Sequence, residues 1–146
     1  MQLRLWRLNM KIIFESCSEN EAFARTVVAA YITRLNPTLE ELSDVKTAVS
    51  EAVTNCIIHG YEGGEGDIVM ECCIHNSDIN ITIEDYGIGI EDIEKAMEPL
   101  YTTRPEWERS GMGFAFMEAF MDKLDVESVP GKGTKVILKR TIGSCG

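Results

Sequence analysis

The sequence has few basic residues and no cluster of them. Its 146 residues contain 14 Lys and Arg against 24 Asp and Glu, which gives a net charge of −10 at pH 7. The basic residues stand singly apart from the pair Lys139-Arg140, whereas proteins that bind nucleic acids neutralise the phosphates with clustered cations. We therefore expect the chain to bind proteins and small molecules, and to make no direct contact with DNA or RNA.

The sequence also lacks a long apolar run and a cysteine pattern. No run approaches the roughly 18 apolar residues of a membrane span, and the first ten residues have neither the apolar stretch nor the cleavage site of a signal peptide. The five cysteines are an odd number without CxxC spacing, and two histidines are too few for a zinc site. These absences predict a cytoplasmic protein with free thiols and no membrane attachment.

The composition that remains, with 45% hydrophobic and 26% charged residues, is typical of one globular domain. We assign that domain to residues 10–141, because Met10 directly precedes the first strand-like run. Residues 1–9 are expected to be a non-native or disordered extension, with a genuine amphipathic arm as the alternative. Residues 142–146 are expected to form a tail.

Hydrophobic periodicity predicts the order β-α-α-β-β-α-lid-α-β-β. The first strand is placed at residues 11–16. Capping boxes at Ser18 and Glu21 and at Thr38 and Glu41 indicate two helices, and Gly60 is the expected end of the second. The first helix is predicted to carry an apolar stripe of Phe23, Val27, Tyr31 and Leu35. Hairpin-connected strands with paired helices between them predict an α+β two-layer sandwich, a mostly antiparallel sheet with helices on one face.

Asp85 breaks the hydrophobic pattern of its strand. The residue has the same parity as Ile81 and Ile83, so alternation directs its carboxylate towards the buried face, where it needs a partner. Gly87 and Gly89 follow, and their lack of side chains leaves room for a ligand near the backbone. A tight turn with an aspartate cap explains the same DxGxG string.

Two further features are compatible with phosphate chemistry. Glu51 and Asn55 are four residues apart and share one helix face; a carboxamide oxygen suits Mg²⁺, and a carboxylate suits general-base catalysis. Gly111-Met112-Gly113 precedes a helix whose free N–H groups can bind an anion. A solvated helix face and a flexible joint are the alternatives. The sequence contains neither GxxxxGK[ST] nor GxGxxG.

In this order, these motifs and Gly133-Thr134 resemble those of the Bergerat-fold ATPases, which include gyrase, the Hsp90 chaperones, histidine kinases and mismatch-repair ATPases. The segments SENEAFAR, VSEAVTNCIIHGY, PLYTTRPEWERSGMGF and FMEAFMD are similar to the anti-sigma-F factors of spore-forming bacteria, serine kinases of the switch-kinase branch. That similarity runs from about Met10 to Arg140.

The resemblance implies a role for each matching residue. Glu51 would be the general base, Asn55 would hold Mg²⁺ on the phosphates of ATP or ADP, and Asp85 would bind the adenine amino group. Arg25 would contact both protein partners, and residues 98–110 would close over the nucleotide as a lid. The nucleotide-binding residues that it implies are Asn55, Asp85, Gly87, Gly89, Thr102, Thr103, Arg109, Ser110, Gly111, Met112, Gly113 and Thr134.

The implied function has two parts. A homodimer would hold a sigma factor of the sigma-F type, and it would phosphorylate a serine of an anti-anti-sigma protein. A general-stress switch kinase of the same branch and a nucleotide-gated binding module without turnover are the alternatives. The catalytic half of a histidine kinase is disfavoured, because His59 and His75 both lie inside the ATP-binding unit and no separate helical hairpin carries a phosphoacceptor histidine.

Overall fold

The computed structural model describes residues 7–98 and 113–143, with the side chains from residue 9 onwards. Its strands are β1 (Arg7–Glu15), β2 (Asp67–His75), β3 (Asp78–Asp85), β4 (Lys123–Val129) and β5 (Gly133–Thr141). Its α-helices are α1 (Ser18–Ile32), α2 (Leu39–Asn55), α3 (Ile93–Ala96) and α4 (Gly113–Phe120). The predicted order of elements is confirmed for the part of the chain that is described.

The five strands form one sheet in the order β1-β2-β3-β5-β4. Each of its pairings is antiparallel. The side chains on one face of the sheet pack against α1, α2 and α4 in a single hydrophobic core, which confirms the predicted two-layer sandwich. None of the helices in the two described segments has the length and apolarity that crossing a membrane requires.

The first helix differs from its prediction in its cap and in its buried face. Cys17 is the N-cap and makes no side-chain cap bond, so the capping box predicted at Ser18 is wrong. The buried positions are Ala24, Val28, Tyr31 and Ile32. Of the predicted stripe, Tyr31 is buried and Val27 and Leu35 pack against the core, but Phe23 is 54% exposed. Apolar residues occupy two adjacent stripes of this helix, and periodicity does not say which of them faces the sheet.

The second helix begins as predicted and ends differently. Thr38 and Glu41 form both bonds of the capping box. Beyond Asn55 the chain passes into a π-helical turn, Cys56–Gly60, which continues the helix by one wider turn. Gly60 therefore lies inside helical structure and is buried, so its predicted role as the residue after the helix end is wrong.

Both ends of the described chain extend the packed unit beyond residues 10–141. β1 begins at Arg7, and its first residues pair with the end of β2. Ile142 is 1% exposed in the core, and the Gly143 N–H donates to both carboxylate oxygens of Glu41, at 3.2 and 3.1 Å. That the native chain starts at Met10 stays a prediction.

Candidate functional site

A cavity of about 560 Å³ lies between the helices and one end of the sheet. Its walls come from the end of α2, the π-helical turn, the loop after β3, α3, the start of α4 and the β4–β5 turn. The volume is within the range of small-molecule sites, about 300–1,000 Å³. Of the predicted nucleotide-binding residues, it brings together Asn55, Asp85, Gly89, Gly113 and Thr134.

Asp85 is the buried carboxylate of this cavity. It is the last residue of β3, only 3% exposed, which confirms the inward direction predicted from alternation. Burial raises the pKa of its carboxyl above the usual value. Hydrogen bonds from the chain oppose this shift, because they favour the charged form. Those bonds come from the N–H of Gly87, at 2.9 Å from Oδ1, from the thiol of Cys56 and from the N–H of Thr134.

The Asp85 carboxylate can accept a further hydrogen bond. An ionised carboxylate offers about four lone-pair positions on two oxygens. The Gly87 N–H occupies one of them, and the Cys56 thiol and the Thr134 N–H also favour the charged form. The carboxylate keeps acceptor capacity for a donor from a ligand, which suits an amino group on an aromatic ring.

The loop after Asp85 is held between two other turns. The Ile88 N–H donates to the carbonyl of Gly60 at 3.0 Å, and the Gly131 N–H donates to the carbonyl of Ile88 at 2.6 Å. A Cβ atom at Gly87 would collide with the Gly60 carbonyl. Gly89 has a φ of +76°, which is the left-handed region that glycine adopts without strain. The glycines of the DxGxG string therefore allow close backbone packing at the cavity.

Thr134 reaches the site through β5. It is the β-bridge partner of Asp85, and its hydroxyl lies 2.8 Å from the Ser128 hydroxyl. Ser128 already donates to the Gly133 carbonyl at 2.9 Å, so Thr134 is the donor in that pair. Ser128 also accepts from the Ile90 N–H at 2.8 Å. The two hydroxyls thus join the loop after β3 to the β4–β5 hairpin.

Glu51 and Asn55 meet at the first residue of α4. A Cβ atom placed on Gly113 would lie 3.2 Å from Asn55 Oδ1 and 3.4 Å from Glu51 Oε1. Both side chains are half-buried, and Asn55 lines the cavity. The predicted shared face is confirmed. The uncharged carboxamide oxygen of Asn55 fits Mg²⁺, a hard ion that keeps several water ligands when proteins bind it through one or two oxygens.

Several predicted site residues lie outside the described part of the chain. They are Thr102, Thr103, Arg109, Ser110, Gly111 and Met112, together with all of the predicted lid except Glu98, which lines the cavity. Their assignments stay predictions. Sequence reasoning assigned no role in the site to Cys56, Gly60 or Ser128. No local pattern marks these residues, because each acts through a contact with a distant element.

Arg25 lies away from the cavity, in a groove between α1 and α2. The groove is lined by Arg25, Leu39, Leu42, Ser43, Lys46, Thr47 and Ser50, with a volume of about 380 Å³. Arg25 pairs with Glu21 at 2.8 Å, and its side chain remains 42% exposed. Leu39 is 85% exposed. The groove therefore combines two cations, Arg25 and Lys46, with one exposed apolar side chain.

Similarity to known proteins extends over most of the chain. Residues 14–140 match the family described as "Histidine kinase-like ATPase domain". A protein of Thermoanaerobacter sp. (strain X514) named "Anti-sigma F factor" is 61% identical over 135 residues, which are 92% of this chain and 94% of that protein. The chain belongs to the anti-sigma F factor family. Anti-sigma F factors of Clostridium kluyveri (strain ATCC 8527) and Clostridium novyi (strain NT) are 59% and 60% identical, over 93% and 92% of this chain and 96% and 95% of theirs.

A solved structure shows the same fold. The crystal structure of the RsbU and RsbW domains of a Mycobacterium tuberculosis protein superimposes with a TM-score of 0.67 at 17% identity. The match covers 92% of this chain and 32% of that one, so this chain spans about a third of that two-domain chain. The similarity confirms the predicted ATPase-type fold for this member of the anti-sigma F factor family.

Proposed function

We propose that this chain is a cytoplasmic anti-sigma factor that binds ATP or ADP with Mg²⁺, holds a sigma factor of the sigma-F type, and phosphorylates a serine of its anti-anti-sigma protein. One observation supports the kinase activity above all others. The same cavity is lined by a buried carboxylate, Asp85, and by Asn55, and Glu51 lies beside Asn55 at the first residue of α4. The name of the family supports the part of the proposal that concerns the sigma factor.

Asp85 is proposed to bind the adenine. Asp85 lines a cavity that is also lined by the apolar residues Ile88, Ile90 and Val136. A flat aromatic base needs such surfaces for its faces and a hydrogen-bond acceptor for its exocyclic amino group. At position 6 guanine carries a carbonyl, which cannot donate to Asp85, so adenine fits a site in which position 6 of the base faces the carboxylate.

Asn55 and Glu51 are proposed to act at the phosphate side. Mg²⁺, when bound, supplies charge neutralisation on the phosphates, with the Asn55 carboxamide oxygen as its ligand from the protein. The N-terminal N–H groups of α4 face the same region and favour anions. Glu51 accepts the hydroxyl proton of the substrate serine as the serine oxygen forms a bond to the γ-phosphorus. The bond between the γ-phosphorus and the ADP oxygen breaks, and ADP leaves with its electrons.

Phosphorylation assays with Glu51→Ala test the kinase proposal. With radiolabelled ATP and an anti-anti-sigma protein as substrate, this variant should lose transfer by about 100-fold or more and keep its affinity for ATP. Glu118→Ala, which changes an exposed glutamate of α4, is the matched control and should be as active as the wild type. Undiminished transfer in Glu51→Ala would remove Glu51 from the mechanism. Tight sigma binding with no transfer by the wild type would favour the non-catalytic binding module.

The groove at Arg25 is proposed to bind both protein partners. It combines Arg25 and Lys46 with the exposed Leu39, so a partner with an acidic side chain beside an apolar one fits it. Arg25→Ala should weaken the binding of the sigma factor and of the anti-anti-sigma protein by at least about tenfold, with ATP affinity unchanged. Lys123→Ala removes an exposed cation from β4 and serves as the control. Equal partner affinity of Arg25→Ala and the wild type would place the binding surface elsewhere.

The active form is proposed to be a homodimer, as the family resemblance implies. Light scattering coupled to gel filtration measures this directly. A mass twice that of the 16.3 kDa chain is expected with nucleotide bound. A monomer at the concentrations that inhibit the sigma factor would contradict the dimer while leaving the nucleotide site unaffected.

A further inference from the structure

Tyr61 connects the strand that begins the hairpin to the residue after Asp85. Its hydroxyl donates to the carbonyl of Asp67 at 2.5 Å and accepts from the N–H of Tyr86 at 2.8 Å. Asp67 is the first residue of β2, and Tyr86 directly follows the buried carboxylate. A single side-chain oxygen therefore fixes the peptide that leaves Asp85.

The ring of Tyr61 has little freedom to move this oxygen. It packs on the backbone of Gly66, where a Cβ atom would collide with the ring. The backbone N–H of Tyr61 donates to the carbonyl of Cys56 at 2.9 Å, which ties the residue to the π-helical turn. Gly66 is therefore required at this position, because the Tyr61 ring packs against its backbone.

The hydroxyl stays in the neutral form that this arrangement needs. A phenol must keep its proton to donate to the Asp67 carbonyl while it accepts from Tyr86. Burial raises the pKa of Tyr61 above the usual value for tyrosine. The two bonds form a short chain in which each polarises the other, and such chains hold their members more firmly than separate bonds do.

We infer that Tyr61 is a positioning residue that orients Asp85 and so determines the preference of the cavity for a purine with a 6-amino group. The inference rests on the proposed function, in which Asp85 accepts a hydrogen bond from adenine. Tyr61 does not line the cavity, so it acts through the loop. Two hydrogen bonds join the loop to the region of the π-helical turn. The Tyr86 N–H donates to the Tyr61 hydroxyl, and the Ile88 N–H donates to the Gly60 carbonyl. Without the first bond, only the second of these two bonds still joins the loop to the region of the π-helical turn.

The variant Tyr61→Phe keeps the ring and removes the hydroxyl. Its dissociation constants should be measured by calorimetry for ATP and for purine riboside triphosphate, which has hydrogen in place of the 6-amino group. We expect ATP to bind about tenfold more weakly, the size of one lost hydrogen bond, and the analogue to bind nearly as before. The preference for ATP should thus fall about tenfold.

Tyr86→Phe is the matched control. It removes the Tyr86 hydroxyl, which lies 3.5 Å from the Glu84 carboxylate. It keeps the backbone N–H of residue 86, from which the Tyr61 hydroxyl accepts a hydrogen bond. It should alter neither affinity. Gly66→Ala displaces the ring without removing the hydroxyl and should lower the preference for ATP in the same way, so the inference remains testable if Tyr61→Phe does not fold.

Two outcomes would overturn the inference. One is an unchanged preference for ATP in Tyr61→Phe and Gly66→Ala, and the other is an equal loss for both nucleotides, which a purely structural role would produce. Asp85→Ala, which removes both acceptor oxygens, separates this from the proposed function in the same titrations. If Asp85→Ala leaves the preference for ATP unchanged, the adenine contact itself is wrong. If Asp85→Ala abolishes the preference while Tyr61→Phe preserves it, only the role of Tyr61 is wrong.

Discussion

The carboxyl group of Asp85 packs directly on the Cα atom of Gly60. A Cβ atom at Gly60 would lie 2.7 Å from both the carboxyl carbon and Oδ2 of Asp85, closer than such atoms pack. The π-helical turn and the end of β3 can approach each other only because residue 60 has no side chain. The position of the carboxylate therefore depends on a residue of another element.

The first prediction concerns this contact. Gly60→Ala should displace the Asp85 carboxylate and weaken ATP binding by about tenfold or more, the cost of a lost hydrogen bond to a charged group. Glu65→Ala changes an exposed residue of the following loop, outside the cavity, and should leave the affinity unchanged. Calorimetric titration with ATP measures both. An unaltered dissociation constant in Gly60→Ala would show that the carboxylate does not bind the base in this position.

A second prediction concerns the metal. If the Asn55 oxygen binds Mg²⁺ on the nucleotide, chelation of Mg²⁺ with EDTA should weaken ATP binding to the wild type. Asn55→Ala should bind Mg-ATP at least about tenfold more weakly and respond little to the chelator. A response to EDTA of the same size in both proteins would show that the ion has another ligand.

A third prediction concerns stability at low pH. Hydrogen bonds, first of all from the N–H of Thr38, hold the pKa of Glu41 below its usual value of 4.5. A carboxyl whose pKa is lower in the folded state stabilises the fold above its unfolded pKa, and this contribution disappears as the pH falls through the folded value. Glu41→Ala should therefore be less stable than the wild type by about 1 kcal/mol at pH 7, and the gap should close towards pH 3.

Urea unfolding at pH 7 and at pH 3 measures that gap. Glu40→Ala removes the neighbouring, exposed carboxylate and should change the free energy of unfolding little at either pH. A difference between Glu41→Ala and the wild type that is independent of pH would mean that packing of the side chain, and not its charge, stabilises the helix start.

A fourth prediction concerns release of the phosphorylated product. Phosphoserine adds about −1.5 to −2 charges to the substrate, and the chain carries a net charge of −10. The phosphorylated anti-anti-sigma protein should bind more weakly than the unmodified form in low salt, and the difference should shrink at high ionic strength because salt screens the repulsion. Equal affinity of the two forms in low-salt calorimetry would rule out electrostatic rejection.

Local patterns in the sequence predicted the parts of the fold that depend on neighbouring residues. Alternation along β3 directed Asp85 inward, and the spacing of Thr38 and Glu41 identified the start of α2; both are confirmed. The four-residue spacing of Glu51 and Asn55 gave their common face, which Gly113 contacts. Each of these follows from the period of a helix or strand, which short sequence windows contain.

The parts that could not be predicted depend on contacts between distant elements. The π-helical turn after Asn55 places Gly60 against Asp85, and no local pattern separates such a turn from an α-helix. The buried face of α1 depends on the sheet that it meets, so periodicity alone wrongly predicts Phe23 to face the core. Ser128 looks like an ordinary strand residue, although its hydroxyl bonds to the backbone of both Ile90 and Gly133.

The bond from Gly143 to Glu41 and the burial of Ile142 give the last described residues of the chain a mechanical role. They connect the start of α2 to the turn between β2 and β3, since the Ile142 N–H also donates to the Ser77 carbonyl at 2.8 Å. A fusion tag or reporter that replaces the residues after Arg140 would therefore remove these contacts and destabilise the fold. A tag joined beyond Gly143 keeps the contacts, so recombinant versions used to measure partner affinities should include Gly143.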